Sequence, residues 1–334
     1  MSNILLKGDN VVGMNWLINN GYKGKVDLVY IDPPFATGGV FGIDNDGRVA
    51  TISKSHKSKT AYLDTLKGKE YIEFLRKRVL LIWELLSDNG SLYLHIDYKI
   101  GHYVKVMLDE VFGMENFRND ITRIKCNPKN FERVGYGNVK DMVLFYSKTS
   151  NPIWNNPVFD TPKEELLKLY RKVDKEGRRY TTVPIHAPGE TKNGSSNLPF
   201  KGIYPPKGRH WRCSVEELEE LDKKGLLEWS KNGVPRKINY MVEHTKKKAQ
   251  DIWTFKDPTR PFYPTEKNFD MLKFIINASS SEGSVVMDCF CGSGSTLLAA
   301  NECNRQWIGI DKSDLAIITT KKRLQELKYK FIEL

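Results

Sequence analysis

Two short stretches carry groups that could do chemistry. In "VDLVYIDPPF" the apolar run from Val26 to Ile31 has the length and side-chain types of a buried strand. Pro33 and Pro34 lack the N–H that a central strand needs, so the strand must stop at Asp32. It then presents the Asp32 carboxylate, the Pro33 carbonyl and the ring of Phe35. Carboxylate and carbonyl are two acceptors that suit the two N–H groups of an exocyclic nucleobase amine. Such a nitrogen is a poor nucleophile because its lone pair is delocalised into the ring. Gripping both N–H groups pyramidalises it and stabilises the positive charge that develops as it attacks a methyl group. Phe35 offers a face for a base drawn out of a duplex. The second stretch, "VVMDCFCGSGSTLLAA", reads as a strand, a Gly292-x-Gly294 turn and a helix. Glycines let the backbone approach a ligand, and a fresh helix N-terminus offers N–H groups to a carboxylate or phosphate. Leu297 stands where the dinucleotide fingerprint needs a third glycine, and no lysine follows the turn as in a P-loop. Asp288 could hold an ammonium. Asp311, closing the next strand, could take ribose hydroxyls. Ammonium, carboxylate and ribose together describe S-adenosylmethionine. Taken singly, each stretch also fits a structural reading: a strand terminator, or a tight turn beside two aspartates.

Together the stretches resemble the amino-group DNA methyltransferases, which carry D-P-P-Y/F and F-x-G-x-G. Asp32-Pro33-Pro34-Phe35 and Phe290-Cys291-Gly292-Ser293-Gly294 match. Their order, with a basic region between them, resembles the β group, in which the methyltransferase fold is circularly permuted. "FYPTEKNF" is similar to that group's H-P-T-Q-K-P segment at Thr265 and Lys267, and "KGD" resembles its segment before the catalytic strand. Phe35 replaces the commoner Tyr, Cys289 a usual Pro, and Tyr263 and Asn268 the His and Pro of the cofactor segment.

The resemblance implies an α/β fold: a doubly wound, Rossmann-like, seven-stranded sheet with an inserted basic target-recognition lobe. It implies S-adenosylmethionine held by Asp9, Thr265, Lys267, Asp288, Phe290, Gly292, Ser293, Gly294, Ser295, Thr296 and Asp311. It assigns catalysis to Asp32, Pro33, Pro34 and Phe35, acting on adenine N6 in a specific double-stranded DNA site. Asp in the first position resembles the adenine type; cytosine-N4 enzymes more often carry Ser. The rival readings are cytosine-N4 methylation, an RNA or protein N-methyltransferase, and a non-catalytic DNA-binding subunit. The restriction-modification type implies a cognate endonuclease as partner, and the family a homodimer.

The remaining sequence supplies the frame. Residues 1–148 alternate strand and helix patterns, as a mostly parallel sheet with helices on both faces requires. Residues 36–68 read as a long exposed loop. Residues 149–260 hold 22 Lys and Arg against 15 Asp and Glu, with four of the seven tryptophans, and read as a separate irregular lobe. Lys192, Arg209, His210, Trp211, Arg212, Arg236 and Lys237 are its candidate DNA contacts. Alternation resumes over 261–334, where "SDLAIITTKKRLQELKYK" reads as one helix. A net charge of +11 over 334 residues favours an anionic partner. No apolar run reaches membrane-spanning length, no signal peptide is evident, and five unpaired-looking cysteines suit a reducing cytoplasm. Cys289, Cys291 and Cys303 lack a fourth partner, so no metal is expected. No G-x-S-x-G elbow points to a hydrolase, and His95 and Asp97 are read as structural.

Overall fold

Nine strands among the described residues form one sheet around the run that ends at Asp32. A computed structural model describes residues 2–34, 40–43, 49–51, 59–63, 68–128, 130, 132, 134–191, 194–242, 245–257 and 266–334. The sheet strands are β1 (Ile4–Lys7), β2 (Val26–Ile31), β3 (Leu86–Ile96), β4 (Phe117–Ile124), β5 (Lys140–Ser147), β6 (Ile252–Trp253), β7 (Val285–Asp288), β8 (Gln306–Asp311) and β9 (Lys330–Glu333). Their order is β6-β4-β5-β3-β2-β7-β8-β1-β9. Among these strands only β5 runs antiparallel to its neighbours. From β2 the chain works outward one way, and from β7 it works outward the other way. The reversal therefore falls between these two strands, where open α/β sheets bind ligands.

Six described helices cover this sheet: α1 (Asn10–Leu17), α2 (Gly68–Leu85), α3 (Gly101–Phe112), α4 (Phe269–Ser279), α5 (Ser295–Glu302) and α6 (Asp314–Arg323). Alternate strand residues divide between the faces. Val29, Ile31, Leu92, Leu94, Leu144 and Tyr146 join one core with α1, α2 and α3. Tyr93 points the other way and shares a 2.7 Å hydrogen bond with Ser279 of α4. Local chemistry sets the helix starts. Asp9, Asn268 and Ser313 cap α1, α4 and α6 by accepting from Val11, Met271 and Ala316 backbone N–H groups.

Two outer strands lie beyond the expected seven. The final helix stops at Arg323, and the chain turns into β9 along β1. A free sheet edge offers Phe331 and Ile332 a ladder and a packing surface, including Lys321 Nζ 3.3 Å from the Phe331 ring centre. The region expected as one loop, 36–68, holds three short antiparallel strands, Val40–Ile43, Val49–Thr51 and Lys59–Leu63.

Residues Val158–Lys248 form a second compact unit. Its four-stranded sheet comprises Lys172–Val173, Arg179–Pro184, Pro235–Tyr240 and Leu227–Trp229. A helix, Val215–Lys223, opens with a Ser214–Glu217 capping box. The unit has its own core of Ile185, Phe200, Trp211 and Leu218.

At the amino end of β2, Asp27 ties the strand to both neighbours. It accepts from Ser87 Oγ at 3.0 Å and from the Val285 N–H at 2.9 Å. Asp27→Ala leaves a partly buried N–H without its partner and should cost about 1–3 kcal/mol. A urea titration should show an earlier midpoint with an unchanged slope.

Candidate active site

β2 and β7 are hydrogen-bonded parallel neighbours, with Leu28 opposite Val286 and Val29 opposite Met287. Asp32 and the glycine turn therefore emerge side by side at the same end of the sheet. One oxygen of Asp32, Oδ2, lies 2.8 Å from Lys267 Nζ. The other, Oδ1, is buried and has no hydrogen-bond partner among the described residues. Pro33 is buried behind it. Phe35, Thr265 and Lys192 lie outside the described residues. Lys267, read from sequence as a cofactor contact, is placed on the proposed catalytic carboxylate.

The glycine turn is held by the two aspartates that flank it. Asp288 accepts from the Phe290 N–H at 2.9 Å and from Thr296 Oγ1 at 2.6 Å. Asp311 accepts from the Gly292 N–H and the Ser313 N–H, both at 2.9 Å. Gly294 adopts φ 77°, and a Cβ there would sit 2.9 Å from Thr320 Cγ2, so a side chain would be strained and crowded. Thr320 Oγ1 also donates to the Gly292 carbonyl at 2.8 Å. Cys289 and Cys291 are buried along the turn, and burial pushes both thiols up from their ordinary range.

Burial pushes the Asp288 carboxyl up to about 7, and the nearby carboxylates of Asp32 and Asp311 push the same way. Asp311 is also raised, mainly by burial, although its two backbone N–H bonds pull it back. Three carboxylates thus converge on one end of the sheet, beside a helix N-terminus. This donor and acceptor set fits a zwitterionic ligand that brings its own positive charge. No cluster of metal-ligating side chains occurs among the described residues.

Several residues of the site carried no sequence signal. Arg323 of α6 donates to Ser293 Oγ at 3.2 Å, to Ser295 Oγ, and to Glu266 Oε1 at 2.6 Å. It therefore clasps the glycine turn to the segment that carries Lys267. Asp9 caps α1 with one oxygen and meets Arg78 Nη2 at 3.3 Å with the other. Arg78 also donates to Asn10 Oδ1 at 2.6 Å, and Asn10 donates to the Cys289 carbonyl at 3.1 Å. The Arg78 guanidinium lies over Phe74, whose ring adjoins Phe290. An arginine or asparagine inside an amphipathic helix looks in sequence like any other solvated side chain.

In the second unit, Arg209, Arg212 and Arg236 gather about His186. Arg209 Nη1 donates to His186 Nδ1 at 3.1 Å, and Arg212 Nε donates to the His186 carbonyl at 3.1 Å. Burial first, then these three arginines, lower the His186 imidazole. Adjacent strand residues face opposite ways; Lys237 accordingly lies near Cys213 rather than among the arginines. His210 is bonded to the Gly189 carbonyl at 2.7 Å. Trp211 corrects the sequence reading. It is 1% exposed, and its indole N–H donates to the Leu198 carbonyl at 3.0 Å, so it has no free face for a base.

The raised Asp288 carboxyl makes ligand binding depend on pH. In the ligand-free fold it holds its proton up to about 7, against 3.8 for an ordinary aspartate. Its contribution to stability is complete below the lower value and is lost as pH rises through the upper one. A ligand ammonium favours the carboxylate, so S-adenosylmethionine should bind more tightly as pH rises from about 6 to about 8, with proton release at the acid end. Calorimetry in buffers of different ionisation enthalpy measures that proton count, and Asp288→Asn should abolish it.

A family model described as DNA methylase matches residues 26–322. The chain is 41% identical over 329 residues to type II methyltransferase M.EcaI of Enterobacter cloacae, covering 97% of this chain and 69% of that protein. It is 24% identical to the type III restriction-modification enzyme EcoPI Mod subunit of Escherichia phage P1, covering 99% of this chain and 60% of that one. Among solved structures, the DNA modification methylase TTHA0409 of Thermus thermophilus, in complex with S-adenosyl-L-methionine, aligns with a TM-score of 0.50 at 13% identity over 99% of this chain and 98% of that one. The fold is shared at that distance. With the family match spanning most of its length, the chain belongs to the N6/N4 DNA methylase family.

Proposed function

We propose that this protein transfers a methyl group from S-adenosylmethionine to the N6 amine of adenine in a specific double-stranded DNA site, after the base is turned out of the helix. One observation carries the reading: Asp32 keeps a buried, unpartnered carboxylate oxygen beside the glycine turn. A buried acceptor without a donor is costly, and an amine N–H entering the site satisfies it. S-adenosylmethionine, when bound, supplies an electrophilic methyl on a sulfonium. Oδ1 of Asp32 takes one N–H of the target amine and the Pro33 carbonyl the other, which aims the nitrogen lone pair and supports the charge that develops on it. Asp288, Gly292, Ser293, Gly294, Ser295 and Thr296 face the methionine end, Asp311 the ribose and Asp9 the adenine of the cofactor. The aspartate of the tetrapeptide favours adenine over cytosine as target. Relatives named for restriction-modification make a nuclease of the same recognition site the expected partner.

Expression in a methylation-deficient bacterium, followed by sequencing that reads modified adenines and cytosines, tests the reading directly. The expected result is N6-methyladenine confined to one sequence motif. Modification only at cytosine N4, or none, would overturn it. Asp32→Ala should remove the mark completely and leave DNA affinity within about threefold, because the amine contact strengthens only in the transition state.

The arginines about His186 are proposed as DNA contacts of the second unit. Replacing Arg209, Arg212 or Arg236 by Ala should weaken binding, and a lost phosphate contact should lower the slope of log affinity against log salt by about 1. An arginine that reads a base should instead relax the sequence preference with little change in that slope.

A further inference from the structure

We infer that Lys267 is a positioning residue for Asp32: it takes one carboxylate oxygen so that the other is presented, alone and oriented, to the target amine. The inference rests on the amine-methylation reading above and adds a residue to it.

Three consecutive residues ahead of α4 are each anchored to a different part of the site. Glu266 accepts from Arg323 at 2.6 Å and from Ser295 Oγ at 3.2 Å, which fixes it to the glycine turn. Asn268 caps α4 through Met271 and donates to the Lys256 carbonyl at 2.9 Å. Lys267, between them, reaches Asp32 Oδ2 at 2.8 Å with only 11% of its side chain exposed. The backbone on either side is thus pinned, and the ammonium is delivered to one place.

Charge and stoichiometry explain why an ammonium belongs there. Asp32 lies within electrostatic reach of the buried Asp288 carboxyl. Tyr30 and His95, also close to it, are held uncharged: burial raises the phenol and lowers the imidazole. Lys267 supplies the balancing positive charge. An ammonium is a point donor, whereas a guanidinium fork tends to engage both oxygens of a carboxylate. The Lys267 contact on Oδ2 leaves Oδ1 for one amine N–H, and the Pro33 carbonyl serves the other. During transfer the amine nitrogen forms its bond to the methyl carbon as the carbon–sulfur bond breaks. The bonding pair stays on sulfur as a neutral thioether, and one amine proton leaves by way of Oδ1 to solvent.

Lys267→Met tests this with the full chain and duplex DNA. Cofactor affinity by calorimetry and DNA affinity should each stay within about threefold of wild type, while the single-turnover rate of labelled-methyl transfer falls about 100-fold, as expected for an interaction used in the transition state. In an Asp32→Asn background, whose amide keeps an acceptor oxygen, the same substitution should cost less than about threefold more. Intact cofactor binding also reports that the variant has folded. Two results would overturn the inference. One is cofactor affinity weakened more than about tenfold with the rate restored at saturating cofactor, which makes Lys267 a cofactor ligand. The other is the full rate loss repeated in the Asp32→Asn background, which makes its role structural. Absence of transfer to DNA by the wild type would instead sink the amine-methylation reading, before any variant is compared.

Discussion

The pairing of β2 with β7 is the constraint from which the site follows. The two strands are far apart in sequence, yet parallel and adjacent, so whatever each presents at its carboxyl end must share one space. Parallel neighbours cannot be joined by a tight turn, so each carries its own loop and helix away from the sheet. Where the chain leaves in opposite directions, a crevice opens between the loops. Asp27, bonded to both β7 and the Ser87 side chain of β3, fixes β2 between its neighbours at the opposite end.

Behind the proposed catalytic carboxylate lies a second layer of buried polarity. Tyr30 is bonded to His95 at 3.0 Å, and His95 to Asp141 at 3.3 Å, across β2, β3 and β5. Burial alone would raise the Asp141 carboxyl, but His95 and Lys125 outweigh it and hold it well below the usual carboxylate range. Arg123, fully buried, donates to the Phe255 carbonyl and to Asp257. Burying such groups costs several kcal/mol unless each finds partners. Here the partners come from several strands and the segment after β6, so the network also sets the register of the strands on which β2 leans.

Much of the frame was legible in the sequence because its signals are local. Two prolines stop a strand whatever surrounds them, and a glycine that must adopt φ 77° announces a turn. Strand and helix periods in the first and last thirds followed the same logic. What escaped depends on contacts made at a distance. β9 reads as the tail of a helix until the edge of β1 is there to receive it. Lys267 looks like any lysine of a cofactor segment until β2 brings Asp32 within 2.8 Å. Trp211 sits among basic residues in sequence, but Phe200 and Leu218 close over it in the fold. The placement of Arg78 and Arg323 is equally invisible, because a helix face shows its neighbours only once packed.

Cys289 and Cys291 add a last consequence. A sulfur anion beside an activated methyl is a far better competitor for it than an aromatic amine, and only the deprotonated form competes. Burial keeps both side chains protonated, Cys291 most strongly. The turn can therefore carry two soft nucleophiles next to an alkylating agent without becoming its victim, and chemoselectivity is secured by dielectric environment rather than by distance.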